Sequence, residues 1–290
     1  MAAVDFSSNP TTLSTYDDVS YSEILTDVVR DALMAVVVTP ALMDFYDLAG
    51  QASKAIKIPQ AGKETASALT EGTEVSNTAL ASSSVTGTAA EIGIMATITD
   101  VLDVSDIAAA HAARLRTLGR SLGDKLDVDI CALFPGLGTT VGSSGNNITL
   151  SVLLDGIFEI ENADAMSGDL VAVLHPRQTA DLRTELEADA ASIYVGKSDA
   201  SISKAQAGYF GSWFGIDIFQ TTNVSATGGN NIGALFVRGV AFGMMQKWAA
   251  RVEAMRWPPI RGFVIVATAM YAVFEIEDNA GVDVTTDDNS

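Results

Sequence analysis

Apolar positions recur along this chain with two periods, and each period predicts its own kind of element. Two short runs alternate. In Ser53-Lys54-Ala55-Ile56-Lys57-Ile58, Ile56 and Ile58 share one face with Lys57 between them. In the second run Ile92, Ile94 and Ile98 share a face, alternating with Glu91, Gly93, Thr97 and Thr99. A period of two predicts half-buried strands. Between them, Gln60 to Ala90 is mostly Ala, Ser, Thr, Gly and Glu, with little to build a core. A connection of that length usually marks a functional or interacting segment. The pattern predicts an extended two-stranded arm whose tip, Gly62 to Thr88, is mobile when free and ordered against a neighbour.

Spacings of three and four follow in Ile107, His111, Leu115, Leu118, Leu122, Leu126, Ile130 and Leu133. They predict an amphipathic helix from about Asp103 to Phe134, roughly 45 Å long at 1.5 Å per residue. Asp103 or Ser105 can cap its start and Pro135-Gly136 stops it. Gly119 and Gly123 are expected to bend or thin it, each costing about 1 kcal/mol against Ala. Upstream, Met1 to Ser20 reads as an extended arm and Tyr21 to Val37 as a helix ended by Thr39-Pro40. Ala41 to Gly50 reads as a turn of helix or irregular structure.

Downstream, Gly136 to Asn147 reads as a flexible linker. A helix from Leu150 to about Ala163, a buried strand over Asp169 to Leu174 and a helix over Arg177 to Ala188 are predicted next, with His175-Pro176 as the break between the last two. Ile193 to Ala207 is polar and irregular. Tyr209 to Gln220 has turn glycines and then a strand with Ile216 and Ile218 on one face, and Ala234 to Val237 is another strand. Ala250 to Trp257 is extended or helical, Pro258-Pro259 a rigid kink and Phe263 to Ile276 a long strand. A turn at Asn279 to Gly281 precedes Val282, Val284 and an acidic tail. The mixture of helix and strand marks α/β content in this half.

Composition narrows the functions. Seventeen basic against thirty-six acidic residues leave a formal charge of −19. Phosphate contacts need clustered Lys and Arg, so this balance argues against free nucleic-acid binding as the main task. The single cysteine, Cys131, sits in an apolar run and reads as a buried structural thiol, which excludes a disulfide framework or a Cys-rich zinc site. The N-terminus lacks a positive charge before Arg30 and an apolar h-region, so no secretory signal is expected. The longest apolar run, Gly262 to Phe274, is well short of the roughly twenty residues of a spanning helix. A soluble chain made in the cytosol is expected.

Little of the chemistry points to catalysis. Pro135 to Gly142 (PGLGTTVG) is glycine-rich, but a helix precedes it and the P-loop lysine is missing. His111 lies on the apolar helical stripe, where a core histidine is expected, and His175 at a junction suited to backbone capping. No G-x-S-x-G elbow is present, and the pairs Glu159/Glu161 and Glu185/Glu187 have no His or Cys beside them. No cofactor and no metal are expected. Basic residues gather as Arg114, Arg116, Arg120 and Lys125 on the long helix and as Lys247, Arg251, Arg256 and Arg261 near the proline kink. Both groups suit acidic residues of a neighbouring copy, or an ordinary solvated surface.

The order of these parts resembles the Hong Kong phage-type fold of tailed-bacteriophage major capsid proteins. That resemblance implies an α+β chain with an N-arm, an extended β-hairpin loop, a long spine helix, a peripheral domain and an axial domain. The segments DLVAVLHPRQTADLRTELEA (Asp169 to Ala188) and YFGSWFGIDIFQTTNV (Tyr209 to Val224) suit its axial domain. Boundaries would fall at 1–20 for the arm, 21–50 for the N-terminal helix of the peripheral domain, 51–102 for the loop and 103–148 for spine helix and linker. The axial domain would cover 149–233, and 234–290 the closing strands and tail.

The implied function is structural: self-assembly, as hexamers and pentamers, into an icosahedral shell in the virion. The shell would enclose double-stranded DNA without specific binding, with a scaffolding protein and a portal as partners and no membrane. Implied inter-subunit contacts are Lys54, Lys57, Lys63, Glu64, Glu71 and Glu74 on the loop, and Arg114, Arg120, Arg251 and Arg256 elsewhere. The short arm leaves no room for a cleaved scaffolding segment, and nothing specifies a lysine–asparagine cross-link. A nanocompartment shell of the same fold enclosing protein cargo is the nearest alternative. An α/β hydrolase or transferase comes next, and a surface adhesion module is disfavoured by the missing signal.

Overall fold

The computed structural model describes residues 29–32, 37–61, 66, 68–72, 74, 82–101, 109–188 and 209–288. The expected arm over Met1 to Ser20, most of the helix over Tyr21 to Val37, the caps Asp103 and Ser105, and the stretch Ile193 to Ala207 lie outside these residues. So do Lys63, Glu64 and the side chains of His111 and Arg114.

In chain order the first strands are β1 (Asp44–Asp47), β2 (Ala55–Ala61), β3 (Ser82–Thr88) and β4 (Ala90–Thr99). Then come α1 (Ala109–Cys131), β5 (Thr140–Gly142), α2 (Leu150–Asn162), β6 (Leu170–Leu174) and α3 (Pro176–Ala188). The remainder is β structure. It comprises β7 (Tyr209–Trp213), β8 (Ile216–Gln220), β9 (Ser225–Thr227), β10 (Asn230–Val237), β11 (Phe242–Trp257), β12 (Gly262–Glu275) and β13 (Gly281–Asp287). The chain forms two compact units, each assembled from separated stretches.

The smaller unit takes the chain up to Val38, Glu91–Asp129 and Trp248–Met270. Its core lies where Leu115, Leu118 and Leu122 of α1 meet Ile98 of β4, Ala250 and Val252 of β11, and Ile265 and Ala267 of β12. The predicted helical stripe is therefore the face that the sheet buries. α1 runs unbroken through both glycines. Gly119 serves a close approach instead of a bend: a Cβ there would lie 2.5 Å from the Val29 carbonyl oxygen and 2.9 Å from Ala32 Cβ. The helix ends at Cys131, and Phe134-Pro135-Gly136 form a 3-10 turn, because proline cannot continue the ladder.

The larger unit takes Thr39–Ala90, Ile130–Lys247 and the chain from Tyr271 onward. Its main sheet has the order β5-β13-β10-β6-β8-β7, with β9 also paired to β10. β6 is buried along its whole length, as its unbroken apolar run requires. α2 buries Leu153, Gly156 and Ile160. A Cβ at Gly156 would sit 2.8 Å from Leu235 and 3.2 Å from Val282, so glycine lets the helix lie close to β10 and β13. The rings of Phe134, Phe236 and Phe242 fill the space nearby, with centroids 5.1 to 6.1 Å apart.

Several expectations are corrected. The strand paired with β2 is β3, drawn from the core-poor stretch expected to be the arm's tip; Ala55 faces Thr88 and Ala61 faces Ser82. Backbone groups supply that pairing, so Ser82–Thr88 needs no apolar face, and its sequence shows none. β4, the expected returning strand, instead enters a four-stranded sheet of order β1-β11-β12-β4. The segment after Thr39–Leu42, expected to be irregular or helical, contains β1, paired in parallel with Gly243–Gln246. The glycine-rich linker contains β5, paired in parallel with β13. Tyr209–Trp213 is a strand of its own, and Ala250–Trp257 is the second half of a sixteen-residue strand. Gly281–Asp287, expected as two valines before an acidic tail, is β13, placed between β5 and β10.

Candidate assembly surfaces

The β2–β3 hairpin is held to the body from its base at Ala55–Thr88 to its far end at Gln60–Ser83 by groups that all belong to the larger unit. The Lys247 ammonium donates to the carbonyl oxygens of Leu48 at 3.3 Å, Ser53 at 3.0 Å and Gln51. These three carbonyls belong to the turn that leads into β2, so one half-buried cation ties that turn to β11. The Gln60 side chain donates to the carbonyl of Ile276 and accepts from Ser83 Oγ at 3.1 Å. The Phe274 ring lies between two glycines: a Cβ at Gly87 would stand 2.5 Å from it, and one at Gly243 2.8 Å. The Tyr46 ring packs near Phe274 with centroids 6.2 Å apart. The hydrogen bond from its hydroxyl to Asp44, followed by burial, pushes the Tyr46 pKa up to about 12.

The predicted contact residues fall in different places. Lys54 is exposed at the hairpin base, where its carbonyl accepts from Ala89 N–H at 2.8 Å. Lys57 is exposed on β2 opposite Thr86. Glu71 and Glu74 are exposed in the connection between β2 and β3. The others described belong to the smaller unit. Arg120 is exposed on α1, and Arg251 pairs with Glu253 on the same strand. Arg256 pairs with Asp100 at 2.9 Å and lies 5.3 Å over the Phe263 ring. Both ion pairs are solvated, so each contributes only about 0–1 kcal/mol and leaves its arginine free to exchange partners. Lys247 is the exception in the basic group near the kink, because its donors are directed at backbone carbonyls.

The remaining candidate chemistry is structural. The Gly138 N–H donates to the Asp278 carboxylate at 2.5 Å, so an amide that a phosphate would need is already occupied. His175 and Gln178 cap α3 reciprocally. Arg177 N–H donates to His175 Nδ1 at 3.3 Å, and His175 N–H to Gln178 Oε1 at 2.9 Å, the arrangement of a capping box. Burial lowers the His175 pKa, while the charge of Asp288 acts to raise it. Gln178 Nε2 also donates to the carbonyls of Asn231 and Val284 and to Thr286 Oγ1, joining α3 to β10 and β13. Asp283 on β13 is 6% exposed, and burial raises its pKa against the opposing hydrogen bond from Thr140. Among the described residues no group of three or more His, Cys, Asp or Glu could hold a metal ion, and no helix is long and apolar enough to cross a membrane.

Sequence reasoning placed Lys247 among surface cations and missed its backbone partners, and it missed Gln60 and the glycine pair around Phe274. One signal was legible: Gly87 inside Thr-Gly-Thr marks a strand position where something approaches the backbone closely. The partners of Lys247 and Gln60 lie roughly two hundred residues away, where spacing carries no information.

No family model and no curated protein matches the sequence. Solved structures do. The capsid of Ralstonia phage GP4 is similar with a TM-score of 0.67 at 10% identity, covering 89% of this chain and 90% of that one. A structure of Mycobacterium phage Che8 is similar with a TM-score of 0.63 at 18% identity, covering 80% and 84%. A virus-like particle from Pyrococcus furiosus is similar with a TM-score of 0.60 at 10% identity, covering 91% and 99%. The likeness runs through most of the chain while identity stays low, and the α+β fold of this protein is the phage major capsid fold.

Proposed function

We propose that this chain is a structural subunit that assembles with copies of itself into a closed capsid shell around the double-stranded DNA of a phage. The observation that carries the reading is the extent of the likeness to the Ralstonia phage GP4 capsid, about nine-tenths of both chains. The role is architectural, and the product is a virion component. In this reading the loop that reaches a neighbour lies within residues 51–102, whose last strand, β4, belongs to the body sheet, 103–148 hold the spine helix and its linker, and 149–233 form the axial domain, joined by β13. The N-arm is 1–20, and 21–50 with β11 and β12 make the peripheral domain.

The anchored ribbon supports the reaching role: a hairpin held against the body along β2 and β3 can present Lys54 and Lys57, and beyond its far end Glu71 and Glu74, in a defined direction. Lys63, Glu64, Arg114, Arg120, Arg251 and Arg256 complete the proposed contacts. Modest interfaces whose rotations close generate a shell, and many weak contacts acting together hold it. A scaffolding protein and a portal are the proposed partners. The charge of −19 suits a wall that encloses DNA without gripping it.

Electron microscopy of the purified protein, alone and with the products of neighbouring genes, tests the reading. Closed polyhedral shells are expected; a small monomer under all conditions would overturn it. Nuclease-protected DNA inside particles made in cells separates the phage capsid from a compartment that encloses protein.

A further inference from the structure

Among the described residues three non-glycine residues have positive φ, and one of them is a phenylalanine. Phe214 (φ 51°) and Gly215 (φ 81°) form the two-residue turn between β7 and β8, with Trp213 paired to Ile216. A hairpin turn with both central residues at positive φ favours Asn-Gly or Asp-Gly, because an ordinary β carbon is crowded there. Phenylalanine fits that backbone poorly. Burial offers no compensation either, since Phe214 is 52% exposed. An unfavourable backbone position combined with an exposed ring points to a partner for the ring.

A matching surface lies on the same unit. α2 turns Leu154 and Phe158, one helical turn apart, outward with 43% and 61% exposure. It packs over β5, β10 and β13, whereas β7 is the opposite edge of the sheet. β13 and β7 are separated by four strand spacings, about 19 Å. Pairing of Leu170 with Ile216 sets the Phe214 turn at the end where β6 begins, and α2 leads into β6 at that end. The charges differ as well. α2 carries Asp155, Glu159 and Glu161 without a basic residue, while the β7 side holds exposed Arg183, 4.4 Å over the Phe210 ring.

We propose that Phe214 of one copy packs between Leu154 and Phe158 of the next, a head-to-tail contact between the larger units of adjacent copies. The proposal rests on the shell reading and names one of its contacts. Two different patches at opposite edges make the contact heterologous. Such contacts close into rings when the rotation permits and run on as open chains when it does not.

The test compares wild type with Phe214→Asn, which suits the turn backbone and removes the ring, and with Phe158→Ser on the receiving side. Thermal melting of the unassembled chain and the concentration at which light scattering reports assembly are measured for each. Phe214→Asn is expected to melt at or above the wild-type temperature and to need at least tenfold more protein to assemble. Phe158→Ser should raise the threshold similarly, and the double variant no further. A lower melting temperature for Phe214→Asn would make the ring an intramolecular contact and overturn the proposal. Assembly of both single variants at the wild-type threshold would overturn it and leave the shell reading standing. Rings or open chains that never become shells, and that Phe214→Asn abolishes, would uphold the contact and overturn the shell reading. A wild-type chain that stays monomeric at every concentration would overturn both.

Discussion

Asp283 shows how a single group can set the pH dependence of the larger unit. Its carboxyl is 6% exposed, one of its oxygens has no hydrogen-bond partner, and burial raises its pKa above the ordinary 3.8. A raised carboxyl pKa means that the folded state prefers the proton. The stabilisation is complete below about pH 3.8 and is lost as pH rises through the folded value. At pH 7 the buried charge therefore costs stability. Asp283→Asn is expected to stabilise the protein at pH 7 by about 1 kcal/mol, a few degrees in Tm, with the gain shrinking toward pH 4. Calorimetry across that range checks it, and an unchanged or lower Tm at pH 7 would contradict it. Glu275 acts in the same direction, through burial first and then the charge of Asp278. His175 acts in the opposite one: its lowered pKa favours the neutral ring, so its contribution is present above about 6.5 and is lost as pH falls through the lower folded value. Comparing variant with wild type at each pH cancels both.

Among elements, the β2–β3 hairpin depends on the body beneath it. A two-stranded ribbon alone is at best marginally stable in water. Lys247, Gln60 and the Phe274 ring supply what its own side chains cannot. Lys247→Met keeps the apolar stem and removes the three donated hydrogen bonds. It should cost about 2 kcal/mol and speed hydrogen exchange across residues 48–61, with β6 and β10 left protected. Uniform acceleration across the larger unit would show that Lys247 supports the fold generally, not the root. In the proposed shell Lys247→Met should also weaken assembly, because a hairpin whose direction is not fixed meets a neighbour less often.

For the whole molecule, net charge opposes the assembly proposed above. Copies carrying −19 each repel one another, and repulsion between exposed charges falls as salt shortens the Debye length to about 8 Å at 0.15 M. The assembly threshold is therefore expected to drop between 0.05 and about 0.5 M salt, as measured by light scattering. A threshold that rises with salt would mean that complementary pairs, such as those offered by Arg120 or Lys57, dominate over net repulsion. Retention of duplex DNA by the free subunit at low salt would contradict the view of the shell as a non-gripping wall.

Periodicity was enough to make α1, α2, β6, β12 and the buried stripe at Leu115, Leu118 and Leu122 legible, because each buries an apolar face whose spacing repeats locally. The same signal placed β2 and β4 as strands and Cys131 in a core. It could not show that β2 pairs with Ser82–Thr88, that β1 and β5 exist, or that β13 lies inside the main sheet. Those strands are short, or are held by backbone pairing with distant segments, and backbone hydrogen bonds leave little trace in side-chain pattern. The segment that carries β3 was visible from the sequence only as a stretch poor in core formers. Its pairing with β2, the anchoring by Lys247 and the exposed ring at Phe214 were decided by tertiary structure, because each depends on residues that only folding brings together.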